Sequence, residues 1–165
     1  MIAFDPLRAL RMLNEHQVRF VVIGGLATGL HGAAYSTFDL DVCYQRTAAN
    51  HEALAGALRE LEATLRGAPA GLPFQLDART ITMGDSFTFD TTAGALDCLG
   101  TPAGTKGYDD LMRTATEMDI NGVPAFVASI DDLLRMKRTA GRVKDRAAID
   151  LLEALKQEKN RTSQP

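Results

Sequence analysis

One short segment, residues 38–44, restricts the fold of this chain more than any other part of its sequence. Its apolar residues, among them Phe38 and Leu40, alternate with Asp39 and Asp41, and this two-residue period predicts a β-strand. Successive side chains of a strand point to opposite faces of the sheet, so Asp39 and Asp41 share one face while Leu40 points into the core. The chain must therefore build a sheet that presents two neighbouring carboxylates on one surface.

The remaining hydrophobic periodicity predicts an α/β (α+β) protein, with a small mixed sheet, helices packed on it and a C-terminal helical pair. Helical spacing of apolar residues and capping residues predict helices over 6–16, 26–31, 47–65, 108–116, 129–140 and 144–158. Runs rich in β-branched and aromatic residues predict strands over 18–23, 38–44, 74–76, 80–83, 86–90, 95–99 and 123–128. We expect a single domain over residues 1–158, followed by a polar tail at 159–165.

Composition limits the classes of function. The chain has 165 residues, of which 45% are hydrophobic and 24% charged, as in folded globular proteins. No apolar run approaches the ~20 residues of a membrane helix, and the first residues lack a signal-peptide pattern, so we expect a cytoplasmic protein with no membrane partner. Cys43 and Cys98 lie in apolar runs and are expected to be buried free thiols. The net charge of −3 does not favour nucleic-acid binding by the molecule as a whole.

The acids of the 38–44 segment point to a divalent metal. Neighbouring carboxylates repel each other unless a cation lies between them, and a few carboxylates with substrate phosphates are typical Mg²⁺ ligands. A third acid, Asp97, stands alone in the apolar run 95–99, where an unpaired carboxylate is costly to bury. If the two strands are neighbours, Asp39, Asp41 and Asp97 form a cluster suited to two metal ions and in-line nucleotidyl displacement. The alternative is a solvated strand face.

Gly24 and Gly25 follow the predicted strand 18–23 and precede a short helix. Glycines let a phosphate approach the backbone closely, and the start of a helix offers free N–H donors. The pair is neither a Walker loop nor a dinucleotide-binding fingerprint, and tight turns use Gly-Gly routinely. Its position before the Asp-x-Asp strand nevertheless favours a phosphate-binding turn.

A basic segment lies near the C-terminus. Residues 135–146 contain six basic residues and one acid, Asp145. A lysine such as Lys137 or Lys144, placed beside a triphosphate, would stabilise the charge that builds on a pyrophosphate leaving group. The alternative is a solvated cationic helix face, and Asp145 also fits the first turn of the last helix.

These motifs resemble those of the DNA polymerase beta-type nucleotidyltransferase superfamily, and within it those of the AbiEii/MenT-like toxins of toxin–antitoxin systems. The resemblance spans residues 18–155 and rests on the segments 20–27, 31–32, 36–41, 94–97, 127–137 and 140–145. It implies the nucleotidyltransferase fold and Mg²⁺-dependent transfer of a nucleotide from a nucleoside triphosphate. The implied acceptor is RNA, in particular the tRNA 3′ end, and the implied protein partner is a cognate antitoxin.

The resemblance also implies roles for single residues. The metal ligands are Asp39, Asp41 and Asp97, which together with Lys137 are the candidate catalytic residues. The candidate nucleotide-binding residues are Gly24, Gly25, Thr37, Lys137 and Lys144.

Two positions near the first acid bear on this assignment. Similar sequences often have an arginine four residues before that acid, where this chain has Tyr35, which cannot replace its charge. Thr37 lies two residues before Asp39, and some related toxins are silenced by phosphorylation of a Ser or Thr at this place. Thr37 is therefore a candidate regulatory phosphorylation site, with a plain β-branched residue at a strand start as the alternative.

Two other functions remain open from the sequence. One is a small-molecule nucleotidyltransferase of the antibiotic-resistance type, whose cationic substrates would suit an acidic protein. The other is a catalytically inactive binding partner that retains the fold. The three acids favour an enzyme, because an inactive site has no need for uncompensated carboxylates on apolar strands.

Overall fold

Residues 2–165, which the computed structural model of the protein describes, contain seven strands joined in one mixed sheet. The strands are β1 (Phe20–Ile23), β2 (Asp39–Tyr44), β3 (Thr64–Leu65), β4 (Ser86–Thr91), β5 (Gly94–Leu99), β6 (Thr116–Ile120) and β7 (Val123–Val127). Their spatial order is β3-β4-β5-β2-β1-β7-β6. Because β2 is parallel to β5 and antiparallel to β1, the predicted mixed sheet is confirmed.

Helices pack on this sheet. The described residues form α1 (Pro6–Glu15), α2 (Gly24–Leu30), α3 (Ala48–Glu60), α4 (Ala78–Met83), α5 (Tyr108–Met112), α6 (Ile130–Ala140) and α7 (Arg146–Thr162), with a 3₁₀ turn at Val143–Asp145. Side chains of Asp5, Thr47, Asp77 and Ser129 cap α1, α3, α4 and α6 by accepting a bond from a backbone N–H of the first turn.

Strand β2 is central to the core. Leu40 and Val42 are fully buried, as the alternation predicts. Phe38 is an exception, since β2 begins at Asp39 and the Phe38 side chain is 82% exposed. The alternation therefore does not extend to Phe38, because the regular strand pairing that enforces it has not yet begun.

Residues 74–83 differ from the prediction of two strands. Residues 74–76 lie in a loop, where the carbonyl of Leu76 accepts a bond from Arg59 at 3.0 Å. Residues 78–83 form α4 because Asp77 caps it, accepting from the N–H of Thr80 at 2.8 Å, and because Ile81 is buried against the core. Local capping and burial override the β-propensity of the Thr and Ile residues.

Two predicted helices end early. The helix predicted over 47–65 stops at Glu60, since Glu62 is left-handed (φ 52°) and turns the chain so that β3 pairs with β4. The helix predicted over 108–116 stops at Met112, and strand β6 was not predicted. The Asn121-Gly122 dipeptide, a typical hairpin turn, could have indicated β6, because it joins β6 to β7.

The predicted C-terminal helical pair is confirmed as α6 and α7. Helix α6 ends at Gly141, which is left-handed (φ 63°). Helix α7 continues through Thr162, so the predicted polar tail begins as helix. Cys43 and Cys98 are buried and free, as predicted.

Among the described residues, no helix combines the length and the apolar composition needed to cross a membrane.

Candidate active site

The register of β2 and β5 brings the three predicted acids together. Parallel pairing places Asp41 opposite Asp97 and Asp39 opposite Ala95, so all three acidic side chains leave the same face of the sheet. One carboxylate oxygen of each acid lies within 4.8 Å of those of the other two, and all three residues are half-buried. The predicted cluster is therefore present, and its oxygen ligands suit a hard divalent cation such as Mg²⁺.

The acidic cluster lines an open cleft of about 930 Å³. The cleft runs between the cluster strands, α2, α6 and the 3₁₀ turn. The structure brings all of the sequence-predicted site residues to its lining: Gly24, Gly25, Thr37, Asp39, Asp41, Asp97, Lys137 and Lys144. Their parts in metal binding, nucleotide binding and catalysis stay predictions.

Asp41 carries the electrostatic cost of this arrangement. Burial raises the pKa of its carboxyl to about 7, assisted by the negative charges of Asp39 and Asp97 and a hydrogen bond with Asp97, while Lys137 acts in the opposite direction. Burial and the neighbouring charges therefore oppose ionisation of Asp41, an effect that a bound cation would offset.

Gly24 and Gly25 are required because side chains of the cleft occupy the space beside them. Gly24 is left-handed (φ 70°), and a Cβ atom there would overlap the carboxylate of Asp41. A Cβ atom on Gly25 would lie 2.8 Å from both the Thr37 Cβ and the Tyr35 ring. Contact with protein side chains thus explains the pair, and its contact with phosphate stays a prediction.

Thr37 and Tyr35 both line this corner of the cleft. The Thr37 hydroxyl donates to Asp39 Oδ1 at 2.8 Å, so it lies beside the acidic cluster as its place in the sequence suggests. A phosphate on that oxygen would add about −1.5 to −2 charges next to Asp39. Phosphorylation of Thr37 stays a prediction.

Two lysines reach the cleft from the C-terminal part of the chain. The Lys137 side chain on α6 is only 11% exposed, and its Nζ lies 3.7 Å from Asp145 Oδ1. Ion pairing with Arg142 and Lys137 holds the pKa of Asp145 below its usual value, although burial of this carboxyl opposes the shift. Lys144 lines the cleft from the 3₁₀ turn. The two lysines give the acidic cleft a cationic side.

The prediction of a cationic face at 135–146 needs correction, because ion pairs neutralise most of its basic residues. Four of the six basic residues pair with carboxylates: Arg135 with Asp110 and Asp132, Lys137 and Arg142 with Asp145, and Arg138 with Glu153. Among the described residues, only Lys144 and Arg146 of this segment have no ion-pair partner within 4.0 Å. These acids, which belong to α5, α6, the 3₁₀ turn and α7, neutralise most of the segment and reduce its ability to attract phosphates.

Arg66 is a cleft residue that sequence reasoning missed. It follows β3 and donates to Asp97 Oδ1 at 2.8 Å, to the carbonyl of Phe89 at 2.8 Å and to Asp90 Oδ1 at 3.2 Å. No motif marks it, because its three partners come from β4 and β5, more than 20 residues away along the chain. The pairing of β3 with β4 and of β4 with β5 brings them within its reach.

Comparison with known proteins identifies the fold. No protein-family model and no curated protein matches the sequence. The solution structure of the antibiotic-resistance factor ANT(2'')-Ia matches with TM-score 0.60 and 13% identity, covering 95% of this chain and 90% of that one. Lincomycin-bound LnuA, a lincosamide antibiotic adenylyltransferase, gives TM-score 0.59 and 13% identity over 91% and 95%. TM1012, a candidate nucleotidyltransferase from Thermotoga maritima, gives 0.56 and 16% over 97% of each chain. The predicted nucleotidyltransferase fold is confirmed.

The contact between Gly24 and Asp41 predicts a specific loss of stability. Gly24→Ala should cost the roughly 1–2 kcal/mol of a left-handed alanine plus about 1–3 kcal/mol for the overlap with Asp41. Gly67→Ala is the matched control, because Gly67 has a similar φ of 76° and open space around its Cβ position. Urea denaturation measures both, and equal losses of stability in the two variants would contradict the proposed contact.

Because the pKa of Asp41 is raised, replacing its carboxyl group by a neutral amide should increase the stability of the protein at high pH. Between the ordinary pKa of 3.8 and about 7, the folded protein binds the proton more strongly than the unfolded chain, so stability falls as the pH rises through this window. The Asp41→Asn variant lacks this loss. Its free energy of unfolding should exceed that of the parent by roughly 1–3 kcal/mol at pH 8 and should differ little from it near pH 4. The measurement is the unfolding free energy in EDTA from pH 4 to 8.

The exposed Asp150→Asn is the control for that series and should show no comparable trend. Only the difference between variant and parent is used, since contributions from histidines that titrate in the same range then cancel. An Asp41→Asn protein less stable than the parent at pH 8 would contradict the assignment.

Proposed function

We propose that this protein is a divalent-metal-dependent nucleotidyltransferase that moves a nucleotide from a nucleoside triphosphate to an acceptor hydroxyl. The observation that carries the proposal is the convergence of Asp39, Asp41 and Asp97 on one wall of an open cleft. The fold supports it, since the structural neighbours include antibiotic adenylyltransferases. A catalytically inactive partner with this fold is less well supported, because it would carry the cost of three clustered acids for no purpose.

The cluster fits a divalent metal. It offers oxygen ligands from three carboxylates, and the raised pKa of Asp41 indicates that ionising all three acids is unfavourable without a nearby cation. Asp39, Asp41 and Asp97 would hold Mg²⁺. The metal would polarise the transferred phosphoryl group and neutralise charge on the triphosphate.

The chain's own cations and carboxylates would perform the rest of the reaction. The acceptor oxygen forms a bond to the α-phosphorus while the bond from phosphorus to pyrophosphate breaks in line with it. Lys137, nearly buried beside the cluster, would stabilise the negative charge that moves onto the pyrophosphate. Lys144 would bind the same phosphates from the 3₁₀ turn. Asp97 would orient the acceptor hydroxyl and accept its proton.

For the acceptor, we propose the 3′ end of an RNA such as tRNA, with the protein acting as a toxin controlled by a cognate antitoxin. This rests on the sequence resemblance to the AbiEii/MenT-like toxins. It is also supported by Lys144 and Arg146, which among the described residues have no carboxylate partner within 4.0 Å. An RNA bound there would release counterions, so its binding would weaken steeply with salt.

A small cationic molecule is the second candidate acceptor. It is supported by neighbours such as ANT(2'')-Ia, whose structure contains adenylyl-2''-tobramycin. It is also supported by the acidic groups of the cleft, which could pair with a cationic acceptor. The lining carries five acids beside four basic residues: Asp39, Asp41, Asp90, Asp97 and Asp145, with Arg66, Lys137, Arg142 and Lys144.

Label transfer tests the function and separates the acceptors. The parent protein, with Mg²⁺ and each α-labelled nucleoside triphosphate, is offered total RNA, an aminoglycoside and a lincosamide. We expect label on RNA, lost in EDTA, and a roughly 100-fold slower rate for Lys137→Ala. Lys156→Ala is the matched control, since Lys156 pairs with Asp131 on the surface away from the cleft lining.

Label on an antibiotic and on no RNA would establish the second candidate instead. A protein that labels no acceptor and releases no pyrophosphate under any of these conditions would contradict nucleotidyl transfer itself. Equal rates for Lys137→Ala, Lys156→Ala and the parent would remove Lys137 from the site.

A further inference from the structure

Arg66 is attached to one of the three clustered acids and has no part in the reaction described above. Its guanidinium is fixed by three acceptors, and one of them, Asp97 Oδ1 at 2.8 Å, belongs to the proposed metal site. The Asp97 side chain is 17% exposed and that of Arg66 33% exposed, so the pair is only partly screened by solvent. Arg66 is therefore a fixed positive charge at the edge of the acidic cluster.

A cation and a fixed guanidinium compete for the same carboxylate. Arg66 occupies one oxygen of Asp97 and repels any divalent ion that approaches the cluster. Asp90 and the Phe89 carbonyl hold the guanidinium in place, which limits its freedom to withdraw. A nucleoside triphosphate changes this balance, because its negative charges attract both the metal and Arg66.

We propose that Arg66 is a positioning residue that orients Asp97 and makes metal uptake depend on the nucleotide. Free divalent metal then binds weakly, whereas metal that arrives with the triphosphate binds well. The inference rests on the proposed function, because it assumes that the acidic cluster is a metal site. In this proposal, Arg66 determines the order in which the metal and the nucleoside triphosphate bind.

Binding of Mn²⁺, followed by its electron paramagnetic resonance signal, tests this without turnover. In the parent we expect weak binding of Mn²⁺ alone and much tighter binding with a non-hydrolysable ATP analogue. Arg66→Gln should bind free Mn²⁺ on the order of tenfold more tightly, because a positive charge beside the ion is removed. Arg66→Lys, which retains the charge, should restore the weak binding of the parent.

Arg46→Gln is the matched control. Arg46 is 34% exposed and donates to Asp85 at 2.9 Å and to the Gly84 carbonyl at 2.7 Å, outside the cleft lining. Its loss removes a similar set of contacts and should leave the affinity for Mn²⁺ unchanged. Circular dichroism establishes that each variant is folded, and Arg66→Met serves as a second neutral variant if Arg66→Gln does not fold.

Two results would overturn the inference. One is a folded Arg66→Gln or Arg66→Met protein whose affinity for free Mn²⁺ equals or falls below that of the parent. The other, which requires no variant, is a parent that binds Mn²⁺ equally tightly with and without the ATP analogue. If the parent binds no Mn²⁺ even with the analogue, the proposed function fails as well, so the two failures are distinguishable.

Discussion

Mutual repulsion among three carboxylates is the constraint on which the rest of this structure depends. The parallel register of β2 and β5 fixes Asp41 opposite Asp97, and the two-residue period of β2 adds Asp39 on the same face. The backbone pairing that holds these acids together is buried in the core with Leu40 and Val42, so the acids cannot move apart without disrupting the sheet. Their charge must instead be balanced by other groups.

The surrounding residues supply that balance in three ways. Burial and the acidic neighbours raise the pKa of Asp41 to about 7, which opposes ionisation of this carboxyl and so limits the negative charge of the cluster. Lys137 contributes a nearly buried ammonium, and Arg66 a guanidinium bound to Asp97. A divalent cation could favour ionisation of Asp41 and add its charge to those of Lys137 and Arg66. The same cleft can therefore be stable without a ligand and suited to bind a metal and a triphosphate. The open volume beside the acids leaves room for such ligands.

Local patterns in the sequence predicted the centre of the site, whereas contacts between distant segments escaped prediction. The alternation around Asp39 and Asp41 and the apolar run around Asp97 predicted three acids on two strands. That the two strands are neighbours was only a condition of the prediction, and the parallel pairing of β2 with β5 meets it. Arg66 could not be found in this way, because its partners lie on β4 and β5. The charge of segment 135–146 was overestimated for the same reason, since its acidic partners include Asp110 and Glu153 from other helices. In the fold, α4 was mistaken for a strand because an Asp77 cap outweighs the β-propensity of the residues that follow it.

The most direct test of the account is whether Mg²⁺ and a nucleotide bind together at the acidic cluster. Ligands that bind only the folded state raise its melting temperature. Mg²⁺ with a non-hydrolysable nucleoside triphosphate analogue should raise the melting temperature of the parent by several degrees, and Asp39→Asn should remain folded and lose this shift. An equal shift in the parent and in Asp39→Asn would contradict the assignment of the metal site.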